Sequence, residues 1–253
     1  MFNDWFNIGP FTVHGYGVMM AAGILSALSL ATYLAKRNGL EYQKMDSFAL
    51  VAIISGFAVS KLVYVLTVFD DFLKDPLTVL GGGGWVVYGA IIGGILGAYL
   101  YSRKHGWDYA KVLNVIIPCL PLAQAIGRIG CFFAGCCYGK PTDAWYGVTF
   151  PADSLCPVNT SVIPTQLIMS LGDFIIFGIL FYRIVKKNKI DNNVAIYLML
   201  YSIGRFFVEF IRGDTARGFI GPLSTSQFIG IFIFLIGFIM YFRTNHKNIE
   251  ECH

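Results

Sequence analysis

The sequence predicts an all-α integral membrane protein with seven transmembrane helices, its N-terminus outside and its C-terminus in the cytoplasm. Three observations predict it. Of the 253 residues, 56% are hydrophobic and only 13% charged, whereas a soluble domain carries about a quarter charged residues. Seven stretches have the roughly 20 mainly apolar residues that a helix needs to cross the hydrocarbon core. Lys and Arg collect in alternate connecting segments, which orients the chain.

The seven stretches are 15–35, 48–68, 85–102, 112–134, 163–182, 193–211 and 224–242. A helix satisfies its own backbone hydrogen bonds, as a single segment in lipid must. The first span opens on Val13-His14-Gly15-Tyr16-Gly17. The third follows the run Gly81-Gly82-Gly83-Gly84, read as a flexible or tightly turned approach. The fifth opens on Ile163-Pro164-Thr165-Gln166, and the seventh on Leu223-Ser224-Thr225-Ser226-Gln227. Proline at a helix start and serine as an N-cap are ordinary start signals.

Twelve cations sit in segments on one side: Lys36, Arg37, Lys44, Arg103, Lys104, Lys111, Arg183, Lys186, Lys187, Lys189, Arg243 and Lys247. The opposite side holds Lys74, Lys140, Arg212 and Arg217. The positive-inside rule puts the first set in the cytoplasm. An odd number of spans follows, in agreement with seven. Residues 135–162 form the longest external loop and a candidate small head on a single membrane domain, 1–253. The N-terminus lacks a basic residue before its apolar stretch, so it does not read as a cleaved signal peptide. There is no internal repeat and no nucleic-acid motif. No cofactor is expected, and the chain is read as a monomer.

Lys61, Arg128 and Arg205 remain, all inside predicted spans. Each costs roughly 2.5–3.5 kcal/mol at a helix centre on insertion scales, so each needs a partner or a polar cavity. With the orientation above, all three fall toward the outer face. Arg205, Glu209 and Arg212 are spaced i, i+4, i+7, which puts them on one face of a continuous helix. Read structurally, the Arg205–Glu209 pair locks the bundle. Read functionally, three cations sharing one carboxylate leave a surplus of positive charge for an anionic ligand. Bidentate guanidinium–phosphate contacts suit a phospholipid headgroup at that depth. Tyr16, Tyr88, Gln166 and Gln227 lie at the same depth. Each alone is an ordinary interfacial anchor or cap. His14 is a candidate proton acceptor.

The run Gly127-Arg128-Ile129-Gly130-Cys131-Phe132-Phe133-Ala134-Gly135-Cys136-Cys137-Tyr138-Gly139 resembles the signature of prolipoprotein diacylglyceryl transferases. In outline that signature reads Gly-Arg-hydrophobic-Gly-Asn-Phe-x-Asn-Gly-Glu-x-x-Gly. Further pieces follow in the family's order: Tyr16-Gly17, Pro164-x-Gln166-Leu167, Gly204-Arg205-Phe206-x-x-Glu209-Phe210-x-Arg212 and Ser224-x-x-Gln227. The resemblance covers nearly the whole chain. It implies transfer of the diacylglyceryl group of phosphatidylglycerol, or of another anionic phospholipid, to the lipobox cysteine of a precursor protein at the outer leaflet of a bacterial inner membrane. A thioether forms and glycerol phosphate leaves.

By resemblance, Arg128 and Arg205 hold the phosphate and stabilise the charge of departure. Glu209 orients Arg205 or binds glycerol hydroxyls, and Tyr16 positions the headgroup. Lys61, Gly127, Gly130, Gln166, Arg212 and Gln227 complete the binding set. The chain departs from the family at four places. Tyr88 stands where the family keeps a histidine, the implied base, and a phenol is the poorer base at neutral pH. Cys131, Ala134 and Cys136 replace the two Asn and the Glu. Ser60-Lys61 replaces Gly-Arg, which keeps a charge and loses the fork. Tyr88, Cys131 and Cys136 are therefore candidate catalytic groups on new chemistry, and a thiolate at Cys131 or Cys136 could carry the diacylglyceryl group transiently.

Six cysteines are present: Cys119, Cys131, Cys136, Cys137, Cys156 and Cys252. A disulfide between Cys136 or Cys137 and Cys156 is the expectation for an external loop. Cys-x4-Cys-Cys is not the usual zinc spacing, so no metal is expected. Cys252 does not fit a prenylation box. A transferase acting on a different acceptor is the close alternative. A transporter would also use intramembrane charge, but it would place that charge at the midplane and show repeat symmetry. A non-catalytic lipid-binding protein is the third reading.

Overall fold

A computed structural model describes residues 3–9, 11–151, 154–157, 159–213 and 218–250. Arg217 and Cys252, and the first two residues, lie outside them. After a short hairpin of β1 (Asp4–Ile8) and β2 (Phe11–His14), the chain is helical: α1 (Gly15–Arg37), α2 (Met45–Thr67), α3 (Phe69–Lys74), α4 (Pro76–Gly81), α5 (Val87–Lys104), α6 (Tyr109–Ile116), α7 (Cys119–Ala134), α8 (Thr165–Val185), α9 (Asn193–Val208) and α10 (Thr225–Glu250). Two-residue strands β3 (Val148–Thr149), β4 (Ser161–Val162), β5 (Phe219–Ile220) and β6 (Leu223–Ser224) pair antiparallel within the connections.

Each of the seven apolar stretches falls on helix. Among the described residues four helices are long and apolar enough to cross a membrane, or five if the bent pair α6–α7 counts as one span. Two expected spans differ. The fourth is broken by 42° between Ile116 and Cys119, where Pro118 removes a backbone donor from the helical ladder. The sixth ends at Val208 rather than Ile211, leaving 16 residues in α9. The surface is inverted relative to a water-soluble protein. Leu50, Ile54, Phe57 and Leu62 on α2 are each more than half exposed, a contiguous apolar face that suits lipid.

The chain groups into two compact units, Met1–Ala31 with Leu113–His253, and Thr32–Val112. In the second, α2 and α5 lie side by side. Gly89, Gly93 and Gly97 recur at every fourth residue of α5. A Cβ at Gly93 would come within 2.4 Å of Ser55 O, and one at Gly97 within 2.0 Å of Ser55 Oγ. Hydrogen side chains let the two backbones approach, the packing device of membrane helices. Phe48, Tyr101 and Trp107 close one end of this pair with ring centroids 5.7–5.9 Å apart.

In the first unit α7 packs on α8, α8 on α9, and α9 on α10. Buried polar groups pin the helices. Ser170 Oγ donates to Ala125 O at 2.8 Å, and Tyr197 OH to Gln124 Oε1 at 2.9 Å. Asn114 Oδ1 accepts from Val194 N at 3.0 Å, and Asn114 O from Asn193 Nδ2 at 3.3 Å. Within the expected head region, Phe150, Cys156 and Val162 form a small core against Phe132, Tyr138 and Val148.

Candidate functional site

The first unit gathers most of the expected site residues at one end of its helices. Arg128 lies on α7. It is within electrostatic range of Cys131, Tyr201, Cys137 and Asp173. Arg205, on the last turn of α9, is within range of Arg212, Glu209 and Tyr201. Tyr201 is thus a neighbour of both arginines. Arg205 Nη1 stands 2.5 Å from Glu209 Oε2, and its Nη2 donates to Ser226 Oγ at 2.9 Å. A cleft with an empty volume of about 340 Å³ opens between α8 and α9. Asp173, Tyr201, Gly204 and Arg205 line it among apolar side chains. A second cleft of about 550 Å³ lies between α9 and α10, with Ile203, Phe206, Phe207, Ile231, Phe234 and Leu235 on its walls.

Tyr16 comes to this end because α1 crosses α7 closely. A Cβ at Gly130 would lie 3.1 Å from Met19 Cβ and 3.2 Å from Tyr16 O. Gly127 is looser, its nearest neighbour being Met20 Sδ at 3.5 Å. Tyr16 falls within electrostatic range of Cys131, Cys136, Cys137 and Arg128.

Three expectations about this unit are corrected. Arg212 does not share a helical face with Arg205 and Glu209, because α9 has ended. Its backbone instead pairs antiparallel with Gly139, supported by Lys140 N to Ile211 O at 2.8 Å and Gly213 N to Tyr138 O at 3.1 Å. Glu209 is also not the one intramembrane carboxylate. Asp173 is 5% exposed and lies in a predicted span. Finally, no disulfide joins Cys136 or Cys137 to Cys156. The described cysteines are free, and Cys156 is buried in the head's own apolar core.

Gln227 and Gln166 serve the backbone. Gln227 N donates to Ser224 Oγ at 3.2 Å, while Ser224 N donates to Gln227 Oε1 at 3.1 Å. That reciprocal pair is a capping box at the start of α10. Gln166 is fully buried and its Nε2 donates to Cys136 O at 2.7 Å. Thr165 Oγ1 donates to Cys137 O at 2.6 Å. The first turn of α8 therefore fixes the backbone of both cysteines. His14 pairs with Asp4 Oδ1 at 2.6 Å across the hairpin.

Lys61 and Tyr88 belong to the second unit. Lys61 Nζ donates to Gly82 O at 2.8 Å and lies 4.9 Å from the Trp85 ring centroid. The glycine run, read as a flexible approach, supplies carbonyls to this ammonium. Tyr88 is half exposed. Ser60, beside Lys61, accepts from Val86 N at 3.0 Å and so satisfies a donor at the start of α5.

Asp173 and Tyr201 were absent from the expected site. Asp173 was visible as a carboxylate inside a 20-residue apolar stretch. Tyr201 carried no signal beyond its position one turn before Arg205. The spacing that argued against a metal-ligating set does not keep the thiols apart. The Sγ atoms of Cys131, Cys136 and Cys137 lie within 4.8 Å of one another.

The sequence model of the family described as prolipoprotein diacylglyceryl transferase matches residues 3–243. A phosphatidylglycerol–prolipoprotein diacylglyceryl transferase of Clostridium tetani (strain Massachusetts / E88) is 40% identical over 237 residues, 93% of this chain and 95% of that one. The enzyme numbered 2 from Clostridium perfringens (strain 13 / Type A) is 41% identical over 241 residues, 94% of each chain. A relative of the same name from Clostridioides difficile (strain 630) is 33% identical over 243 residues, 93% of this chain and 94% of that one. With a match that runs from α1 into α10 and includes Arg128 and Arg205, the chain belongs to the prolipoprotein diacylglyceryl transferase family.

Proposed function

We propose that this protein transfers the diacylglyceryl group of phosphatidylglycerol to the lipobox cysteine of a precursor protein, forming a thioether and releasing glycerol phosphate. The observation that carries the reading is the shared neighbourhood of Arg128 and Arg205 around Tyr201, in a chain of this family. Two guanidinium groups at one depth suit a phosphodiester, and fixed cations in a dry site stabilise the charge that grows on the leaving phosphate. Glu209 orients Arg205, Tyr16 positions the headgroup, and Tyr201 lies within electrostatic range of both cations. The apolar cleft between α9 and α10 has the chemistry of an acyl chain.

We further propose seven spans, an external N-terminus and a site open to the outer leaflet of a bacterial inner membrane. The distribution of twelve cations in alternate segments supports this orientation. The decisive assay uses purified protein, labelled phosphatidylglycerol and a lipobox peptide. Lipidated peptide and glycerol phosphate should appear together, and Arg128→Ala or Arg205→Ala should abolish both. Undiminished release in both variants would refute the phosphate site. Release without peptide lipidation would point to another acceptor.

A further inference from the structure

Cys131 ends the penultimate turn of α7, one turn after Arg128. The chain then reverses sharply. Gly135 caps the helix at φ 68°, and Cys136 N donates to Cys131 O at 3.2 Å. Cys137 adopts φ 58°, a left-handed conformation that is uncommon for a residue with a side chain. Strain of that kind collects at functional sites. Here the reversal brings three thiols together, within 4.8 Å of one another. Hydrogen bonds from Thr165 and Gln166 to the carbonyls of Cys137 and Cys136 hold the turn from outside.

Tetrahedral zinc bonds thiolate sulfur at about 2.3 Å, which separates neighbouring sulfurs by roughly 3.8 Å. The three Sγ atoms need to close by only about 1 Å to meet that spacing. Soft thiolates select such thiophilic ions. Three thiolates on a divalent ion leave one net negative charge, and Arg128 and Arg212 are both within electrostatic range of Cys137 to balance it. Three protein ligands with an open fourth position are the pattern of a catalytic rather than a structural zinc.

We propose that Cys131, Cys136 and Cys137 bind one zinc ion whose open position receives the thiol of the acceptor cysteine. This rests on the transferase reading above. On binding, the acceptor thiol gives its proton to water at the outer face and becomes a zinc-bound thiolate, the nucleophilic form. Its sulfur attacks the glyceryl carbon that bears the phosphate ester. The carbon–sulfur bond forms as the carbon–oxygen bond breaks. The electron pair stays on the phosphate, which leaves as glycerol phosphate beside Arg128. No oxidant or reductant is required. The product thioether is a weaker zinc ligand than the thiolate, so it dissociates. Activation by the ion removes the need for a strong base at Tyr88.

The test loads the full-length reduced protein in detergent with zinc or cobalt(II) and removes the excess. About one ion per chain is expected, and the cobalt form should show intense sulfur-to-metal charge-transfer absorption. Cys131→Ser, Cys136→Ser and Cys137→Ser should weaken that absorption, while Cys119→Ser should retain it. A lipobox peptide should shift the visible cobalt bands, and its Cys→Ser analogue should not. Stripping the metal should lower diacylglyceryl transfer at least tenfold, with recovery on zinc. Wild-type protein that holds no stoichiometric metal, or whose cobalt spectrum lacks thiolate bands, overturns the site. Equal transfer by stripped and loaded protein overturns the acceptor step and leaves the transferase reading intact. Stoichiometric zinc with no glycerol phosphate release overturns that reading, and the acceptor step with it.

Discussion

Arg205 holds Glu209 one helical turn further on, Nη1 to Oε2 2.5 Å, at the point where α9 ends. A carboxylate at a helix C-terminus faces the negative end of the macrodipole, and Glu209 is 4% exposed. The guanidinium helps to make that charge tolerable there. Removing one partner should cost about 3–5 kcal/mol, since it leaves the other charged and buried. Glu209→Ala should therefore lower the thermal midpoint sharply. The double variant Arg205→Leu with Glu209→Leu should recover much of that stability, because a packed apolar pair of similar size replaces a buried ion pair at little cost. It should nonetheless release no glycerol phosphate. Thermal unfolding together with the release assay separates the two roles, and parent-like release in the double variant would reduce the pair to a lock on the bundle.

The two signature glycines should part company. At Gly130 a Cβ would press on Met19 and the Tyr16 backbone at 3.1–3.2 Å, whereas at Gly127 it would meet only a methionine sulfur at 3.5 Å. A flexible thioether yields easily, while a crossing of two backbones does not. Gly130→Ala should destabilise by about 1–3 kcal/mol, in the range of overpacked cores, and should displace Tyr16. Gly127→Ala should leave the midpoint nearly unchanged. Equal midpoints for the two variants would contradict the close crossing of α1 and α7.

The mainly helical, membrane character was legible because apolar runs of this length have few alternatives in lipid, and four or five of them form helices long enough to cross a membrane. The breaks were less so. Pro118 was in view, but a proline inside an apolar run can kink a helix or be absorbed. The end of α9 at Val208 was hidden, since Glu209-Phe-Ile-Arg continues a helical pattern and the competing partner, residues 138–140, lies some 70 residues away. The same distance conceals the site. Arg128, Arg205 and Glu209 announced themselves as charges in hydrophobic sequence. Tyr201 became notable only when folding placed it within electrostatic range of both arginines. Cys131, Cys136 and Cys137 looked unlike a metal set because their proximity depends on two left-handed residues, Gly135 and Cys137, rather than on regular spacing.

Gln227 illustrates how a residue at the expected depth can serve the backbone. Its side chain and that of Ser224 satisfy each other's amide hydrogens at the start of α10. Replacing Gln227 with Ala removes half of that box and should cost on the order of 1 kcal/mol. The Michaelis constant for phosphatidylglycerol should stay within about twofold of parent, since a cap has no differential effect on substrate. A tenfold rise in that constant at unchanged thermal midpoint would restore Gln227 to the binding set.

Cys156 and Cys137 should behave as opposites toward an alkylating reagent. Cys156 is buried with Phe150 and Val162, and desolvation pushes its thiol above the ordinary value of 9.0. The folded chain then keeps a proton that the unfolded chain gives up. Its contribution to stability is constant below pH 9 and declines as pH rises through that value, because the unfolded state ionises first. Cys137 lies within electrostatic range of Arg128 and Arg212, and a thiolate near cations is the reactive form. Iodoacetamide at pH 8, applied to reduced and metal-free protein, should modify the Cys131–Cys136–Cys137 cluster first. Cys156 should react only after unfolding, or far more slowly than the cluster at the same pH. Peptide mass mapping over a time course reads both rates, and early modification of Cys156 in the folded protein would show that the head core around Phe150 does not seal that thiol from water.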